Sequence, residues 1–183
     1  MTRQTLIEDY NYIRNNVGNI PDEKMIAFYE TYLHGADSYL FGAEADGNIV
    51  GYFSEDIDLK YCSCQTDHKK NVQYLRYRPH RTGSREIAKR EDSIYFGKAA
   101  DIYTLYACKT KSGRNAGYCF EKSVYNYFND TTWKQDNKAS DQGGDITIEG
   151  REVQMKFAPK DGLATITSTN KILNKISKLL KTA

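Results

Sequence analysis

The feature that most constrains the fold is a polar–apolar alternation on both sides of the dipeptide Glu149-Gly150. The dipeptide predicts a two-residue hairpin turn, and the alternation predicts strands whose successive side chains point to opposite faces. Directly opposed residues share a face, so the turn places Ile146 opposite Val153. The apolar face then holds Ile146, Ile148, Val153, Met155 and Phe157. The polar face holds Asp145, Thr147, Glu152, Gln154 and Lys156.

The polar face brings oxygen ligands and an ammonium group together. A carboxylate and an amide oxygen can hold a hard divalent cation such as Mg²⁺. A lysine beside the cation can orient an attacking water or stabilise charge on a phosphate. These groups are the minimum equipment for metal-assisted hydrolysis of a phosphodiester. The alternative is an ordinary solvent-facing surface, which is the norm for one side of an antiparallel hairpin.

The order of these residues resembles the signature of the PD-(D/E)xK nucleases, the restriction-endonuclease-like superfamily. Asp145 stands in the place of the first acid, and Gln154, one apolar residue and Lys156 follow as in the second half of the motif. The segment Asp141-x-Gly143-Gly144-Asp145 is similar to the Mrr-like branch, which accepts glutamine in place of the second acid. The run Gly117-x-x-Phe120-Glu121-x-x-Val124 resembles the upstream helix that carries a glutamate in this family.

The resemblance covers about residues 113–157 and implies an endonuclease that hydrolyses DNA with Mg²⁺, or Mn²⁺ in its place. It implies that Asp145 is the principal metal ligand and that Gln154 coordinates through its side-chain oxygen. Lys156 would be the catalytic lysine, and Glu121 would approach the metal from the helix. The family also suggests a homodimer for double-strand cleavage.

Two other functions stay open. One is a non-catalytic DNA-binding protein with the same fold, since the neutral Gln154 supplies less charge than a carboxylate. The other is a phage or mobile-element protein whose basic surface meets an acidic protein partner.

Basic residues are concentrated in residues 69–90, which carry eight lysines and arginines and a single acid, for a net charge of +7. The whole chain carries +2, so the rest of it is acidic at −5. Cationic side chains suit phosphates, and tyrosines can stack on bases. We therefore expect nucleic-acid contacts from Lys69, Lys70, Arg76, Tyr77, Arg78, Arg81 and Arg85. The alternative is a solvated basic loop.

Hydrophobic periodicity predicts helices over residues 6–17, 21–33 and 118–128. A hairpin around Asp46-Gly47 and strands at residues 94–96, 102–106 and 163–167 are also predicted, with a loop at residues 113–117. The chain ends in an amphipathic helix, whose cap is Ser168, Thr169 or Asn170. Its apolar stripe comprises Ile172, Leu173, Ile176, Leu179 and Leu180, and Lys171, Lys175 and Lys178 face outward.

These elements predict an α/β protein with a mixed central sheet flanked by helices. Residues 93–183 are expected to form a restriction-endonuclease-like core, and residues 1–92 an N-terminal α+β elaboration that contacts DNA.

Several further expectations concern the cellular setting. The sequence has no apolar run of about 18 residues and no apolar signal core, so we expect a cytoplasmic protein without a membrane span. Without a secretory signal, the four cysteines are expected to be reduced. Cys62 and Cys64 with His68 and His80 do not match the usual spacing of zinc ligands.

Overall fold

The computed structural model describes residues 1–78, 85–107, 113–129, 131–133, 145–159 and 163–183. The helices are α1 (Arg3–Asn16), α2 (Asp22–Tyr32), α3 (Arg85–Ala88), α4 (Ala99–Leu105), α5 (Gly113–Tyr127) and α6 (Thr169–Thr182). The strands are β1 (Ser38–Ala45), β2 (Asn48–Ser54), β3 (Cys62–Asp67), β4 (Val72–Tyr77), β5 (Ile94–Lys98), β6 (Thr131–Trp133), β7 (Ile146–Ile148), β8 (Arg151–Ala158) and β9 (Ala164–Ser168).

The main sheet has six strands in the order β5-β2-β1-β8-β7-β6. Strands β1 and β8 are parallel, and the other neighbouring strands are antiparallel, so the sheet is mixed. A smaller antiparallel sheet has the order β3-β4-β9. The predicted α/β class with a mixed central sheet is confirmed.

Both faces of the main sheet are buried. On β1, Tyr39 and Phe41 point into a core formed with α1, α2, α6 and the smaller sheet. Leu40 points to the opposite face, into a second core formed with α4 and α5. This alternation is what a strand in the middle of a layered α/β fold requires, because side chains leave its two faces in turn.

Both sheets combine strands from the two ends of the chain. The central strand β1 pairs with β8 in parallel, with Tyr39 opposite Gln154 and Phe41 opposite Lys156. Strand β4 pairs with β9 in the smaller sheet. The expected boundary between residues 92 and 93 therefore does not separate the sheets, and the central sheet is not built from the C-terminal half alone.

The two predicted hairpins have the backbone geometry that their turns require. Asp46 and Gly47 join β1 to β2 with φ of +50° and +79°, and Glu149 and Gly150 join β7 to β8 with φ of +50° and +82°. Positive φ at both central residues matches the twist of the flanking strands. The predicted register is confirmed, with Ile146 paired to Val153.

Two local predictions are wrong. The expected strand at residues 102–106 lies mostly in α4, where Ala99, Ile102 and Tyr103 are buried at helical spacing. Isoleucine, threonine and tyrosine favour strands in composition, but packing against the sheet selected the helix. The expected loop at residues 113–117 is the beginning of α5.

The predicted C-terminal helix is confirmed, whereas the prediction that all cysteines are reduced is not. Helix α6 begins after Ser168, whose side chain accepts a hydrogen bond from the Lys171 backbone N–H. Cys119 is disulfide-bonded, so the expectation of reduced cysteines is wrong there. Cys62 and Cys64 are free, and burial raises the pKa of each thiol to about 12. Within the described ranges, no helix is long and apolar enough to cross a membrane.

Candidate functional site

The predicted acid is fixed at the start of the β7–β8 hairpin. The Asp145 backbone N–H donates to the Val153 carbonyl at 2.8 Å, which continues the strand pairing past Ile146. The Asp145 Oδ2 atom accepts hydrogen bonds from Gln154 Nε2 at 2.7 Å and from the Met155 backbone N–H at 2.9 Å. The carboxylate is therefore held in one orientation beside Gln154, as the register predicted.

Lys156 lies on the same face of β8, two residues after Gln154. Its side chain is half-buried, and burial lowers the pKa of its ammonium. The nearby charges of Asp145 and Glu121 act in the opposite direction, while Lys171 lowers the pKa further. Lys156 is therefore an electrostatic neighbour of both predicted acids and of one lysine on α6.

Helix α5 brings Glu121 to this neighbourhood. Burial raises the pKa of Glu121 to about 7, the charge of Asp145 raises it as well, and Lys156 lowers it. Because the Asp145 charge raises the pKa of Glu121, the two carboxylates repel each other, and Lys156 offsets part of that repulsion. Of the four residues expected from the resemblance, Asp145 is hydrogen-bonded to Gln154, and the charges of Glu121, Asp145 and Lys156 act on one another. Helix α5 itself packs on the face of the sheet opposite to the one that carries Gln154 and Lys156.

A close packing contact sets the position of α5. Phe120, which is buried, stacks on Phe157 of β8 with 4.9 Å between ring centroids. Its ring also covers Gly42 of β1, where an added Cβ would lie only 2.4 Å from the Phe120 ring. Glycine at position 42 therefore lets the helix that carries Glu121 approach the sheet.

The donor set fits a hard divalent cation. Glu121 and Asp145 offer carboxylate oxygens, and Gln154 keeps its amide oxygen while its Nε2 donates to Asp145. A cation would offset the repulsion between the two carboxylates that the effect of the Asp145 charge on the Glu121 pKa indicates. The described part of the chain contains no group of three or more histidine, cysteine, aspartate or glutamate side chains suited to a metal. The candidate set is instead two acids and an amide.

A groove of about 250 Å³ adjoins this site between β8, α2 and α6. Its lining on the strand side includes Gln154 and Lys156. Helix α6 contributes a polar row to the same groove: Lys171, Asn174, Lys175 and Lys178. Sequence reasoning placed the three lysines on the solvent side of α6 without linking them to the site. Their spacing of four and three residues was the available signal, since such residues share a helix face.

Tyr29 of α2 also lines the groove, and the sequence did not single it out. Burial raises the pKa of its hydroxyl well above the ordinary value, and the Asp145 charge adds to the effect. The hydroxyl is therefore a neutral group near Asp145. Nothing in the local pattern distinguished Tyr29 from other core tyrosines of α2.

The predicted nucleic-acid contacts are spread over different environments. Lys69 and Lys70 are exposed in the turn between β3 and β4, and Arg78 is exposed just after β4. Arg85 begins α3, but its side chain lies outside the described residues, as does all of Arg81.

Arg76 is engaged within the protein. It is half-buried, its Nη1 donates to the Thr165 hydroxyl at 2.5 Å, and its guanidinium lies 4.8 Å from the centroid of the Tyr74 ring. One of its guanidinium nitrogens is thus directed to β9, and its Nε is buried without a hydrogen-bond partner.

The expectation for Tyr77 is wrong. Its side chain is 1% exposed, its ring stacks on Phe41 at 4.3 Å, and its hydroxyl is hydrogen-bonded to that of Tyr52 at 3.0 Å. A base could stack on this ring only if the core opened. The aromatic residue among arginines belongs to the inward face of β4, which local composition did not reveal.

Comparisons with family models, with curated proteins and with solved structures find no match to this chain.

Proposed function

We propose that this protein is a metal-dependent endonuclease that hydrolyses DNA phosphodiester bonds. The observation that carries the proposal is the hydrogen bond between Asp145 and Gln154 on the face of the sheet that holds Lys156, together with the electrostatic influence of Glu121 and Asp145 on Lys156. The four side chains come from α5, from the residue before β7 and from β8, in the sequence order of the motif. A solvent-facing hairpin without a function has no need of a half-buried lysine that is influenced by the charges of two acids.

Mg²⁺, or Mn²⁺, would be held by Asp145, Glu121 and the amide oxygen of Gln154. When bound, the cation supplies a Lewis acid that polarises a phosphate and lowers the pKa of water. Asp145 is oriented for this role by the Met155 N–H and by Gln154. Lys156 presents an ammonium to a phosphate oxygen, and its lowered pKa lets it give up a proton more readily than an exposed lysine.

The finer fold assignment belongs to the same proposal. A mixed sheet with helices on both faces, with the acid immediately before β7 and the lysine on the adjacent antiparallel strand β8, supports a restriction-endonuclease-like core. That core would include β1 from the N-terminal part of the chain. The homodimer and the cytoplasmic location remain predictions.

Cleavage of supercoiled plasmid DNA with Mg²⁺ tests the proposal. Wild-type protein should nick or linearise the plasmid, whereas Asp145→Asn and Lys156→Met should each lower the rate about a hundredfold or more. The matched control is Glu152→Gln, which removes an acid from the same face of the same hairpin and should cut normally.

The other candidate functions give different results in that experiment. Wild-type protein that binds DNA but does not cut it is a non-catalytic DNA-binding protein. The direct hydrogen bond from the neutral Gln154 to Asp145 is the observation that favours this second candidate. Protein that neither cuts nor binds DNA is better described as an interaction protein.

A further inference from the structure

The α6 face beside the candidate site concentrates positive charge. Lys171, Lys175 and Lys178 line the groove together with Lys156 of β8. No aspartate or glutamate is among the described residues that line it. Four ammonium groups therefore border one groove of about 250 Å³ without an acid in its wall.

The orientation of this lysine row is fixed by packing. Ile172 and Ile176 on the opposite side of α6 are fully buried in the core shared with α1 and α2. The row cannot rotate away from the groove unless these side chains leave the core. The lysines are therefore a constant part of the groove wall.

The charge arrangement is unfavourable in the free protein. The first turn of α6 contains no acid and does contain Lys171, although the amino end of a helix carries a partial positive charge. Lys171 also lies near enough to Lys156 for the two like charges to interact. A polyanion in the groove would relieve both unfavourable interactions.

The geometry points to a nucleic-acid binding surface: we propose that Lys171, Lys175 and Lys178 hold the phosphate backbone of a DNA strand and lead it to the candidate site at Lys156. Lys171 and Lys178 are separated by about 10 Å along the helix axis. One DNA strand carries a phosphate about every 3.4 Å of its axis, so the row spans about three phosphates. The identification of the ligand as DNA rests on the proposed nuclease function.

This surface differs from the basic segment expected to contact DNA. That segment contains Tyr77 in the core and exposed Lys69 and Lys70 in the turn between β3 and β4, whereas the α6 row lines the groove that holds Gln154 and Lys156. The groove thus places the proposed DNA-binding lysines of α6 beside the proposed catalytic Lys156. Asn174 offers an additional hydrogen-bond donor.

The test measures binding of a fluorescent 20-base-pair DNA duplex to the full chain by anisotropy, in EDTA so that no cleavage occurs, over a range of NaCl concentrations. The triple variant Lys171→Gln, Lys175→Gln, Lys178→Gln should bind at least about tenfold more weakly at 100 mM salt. The slope of log affinity against log salt should decrease in magnitude by about 2 to 3, since about three phosphate contacts are lost.

Two variants with equal loss of charge serve as controls. Lys24→Gln, Lys60→Gln, Lys98→Gln removes three exposed lysines elsewhere and should bind within about twofold of wild type. Lys69→Gln, Lys70→Gln, Arg78→Gln removes the exposed basic residues around β4. Circular dichroism and thermal melting confirm that each variant is folded.

The inference is overturned if the wild-type chain does not bind the duplex, if the α6 variant binds like wild type, or if the loss is confined to the β3–β4 variant. Plasmid cleavage separates the two proposals. Lysine-dependent binding without cleavage by wild type supports this inference and contradicts the nuclease proposal. Cleavage with an unchanged KM in the α6 variant contradicts this inference alone.

Discussion

Glu121 lies in an environment that opposes the ionisation of its carboxyl. Burial and the Asp145 charge raise its pKa from 4.5 to about 7. The folded state therefore retains a proton that the unfolded chain loses, so this residue makes the free energy of unfolding fall as pH rises from about 4.5 through 7. A half-buried acid at this point destabilises the fold at neutral pH, as is common in functional sites.

The first prediction concerns Glu121→Gln. At pH 8 the variant should have a free energy of unfolding higher than wild type by about 2 kcal/mol, because the amide carries no charge to bury. At pH 4 the two proteins should be equal, since the wild-type carboxyl is then protonated in both states. Urea denaturation at the two pH values measures the difference. An equal or lower stability of the variant at pH 8 contradicts the electrostatic description of the site.

The second prediction concerns the contact between Gly42 and Phe120. Gly42→Ala should lower the free energy of unfolding by about 1 to 3 kcal/mol, because the new Cβ would overlap the Phe120 ring. Adding Phe120→Leu should recover part of the loss, whereas the two effects would simply add if the residues did not meet. Denaturation of both single variants and the double variant gives the coupling energy.

Residue-level reasoning from sequence succeeded where a local pattern determined the face. The alternation around Glu149-Gly150 was enough to place Asp145, Gln154 and Lys156 together. It failed for Tyr77, because its burial depends on contacts with β1 and β2 that are distant in sequence.

At the scale of elements, α6 combines features that stabilise a helix with a lysine in its first turn that does not. Its apolar side and the Ser168 cap favour the helix, but a lysine and no acid occupies its first turn. This lysine is unfavourable beside the helix amino end, so its presence needs a reason outside the helix itself. The proposed phosphate contact supplies that reason.

The third prediction follows for Lys171→Glu. The free energy of unfolding should rise by about 0.5 to 1 kcal/mol, because the new acid complements the helix dipole and Lys156. Binding to the DNA duplex should weaken by at least about tenfold, since attraction to a phosphate becomes repulsion. The comparison is Lys181→Glu in the last turn of the same helix. Its free energy of unfolding should be equal to or lower than that of wild type. A Lys171→Glu protein that is less stable than wild type contradicts the assigned charge conflict.

Element prediction from periodicity was accurate for the amphipathic helices and for the two short hairpins. The element at residues 102–106 could not be predicted in this way, since a short segment rich in isoleucine and tyrosine suits a strand or a buried helix equally. Tertiary packing against β5 and α5 decides between them.

For the whole molecule, the parallel pairing of β1 with β8 is the feature that could not be predicted from the sequence. Parallel strands are joined by long connections, so no local turn signals their neighbourhood. The pairing places β1 beside β8, which carries Gln154 and Lys156, in the middle of the six-stranded sheet. Composition suggested a boundary at residue 92, but β1 and β2 supply central strands to the site's own sheet.

The fourth prediction is that residues 93–183 expressed alone do not fold. This fragment lacks β1 and β2, so β5 would lose its partner strand, β8 would keep only β7, and apolar surface of both would be exposed. Near-ultraviolet circular dichroism should show no fixed tertiary structure in the fragment, whereas the full chain should unfold in one cooperative transition. A fragment with a cooperative transition of its own contradicts the shared sheet.

The distribution of charge also changes once the whole molecule is considered. The +7 of residues 69–90 is partly used inside the protein, where Arg76 bonds to Thr165 and the Arg90 guanidinium lies 3.9 Å from the centroid of the Tyr52 ring. The lysines that border the candidate site come from α6 instead. The net charge of segments was therefore a weaker guide to the binding surface than the face on which each cation lies.

The central claim is that Asp145 and Lys156 act as parts of one catalytic site. The most direct test is the plasmid cleavage rate with Mg²⁺ for wild type, Asp145→Asn, Lys156→Met and the double variant. Residues that act as a unit are strongly non-additive, so the double variant should be no slower than the slower single variant. Each single variant should already have lost about a hundredfold or more of the wild-type rate. Single variants that cut within twofold of wild type, or a wild-type protein that does not cut, would contradict the claim.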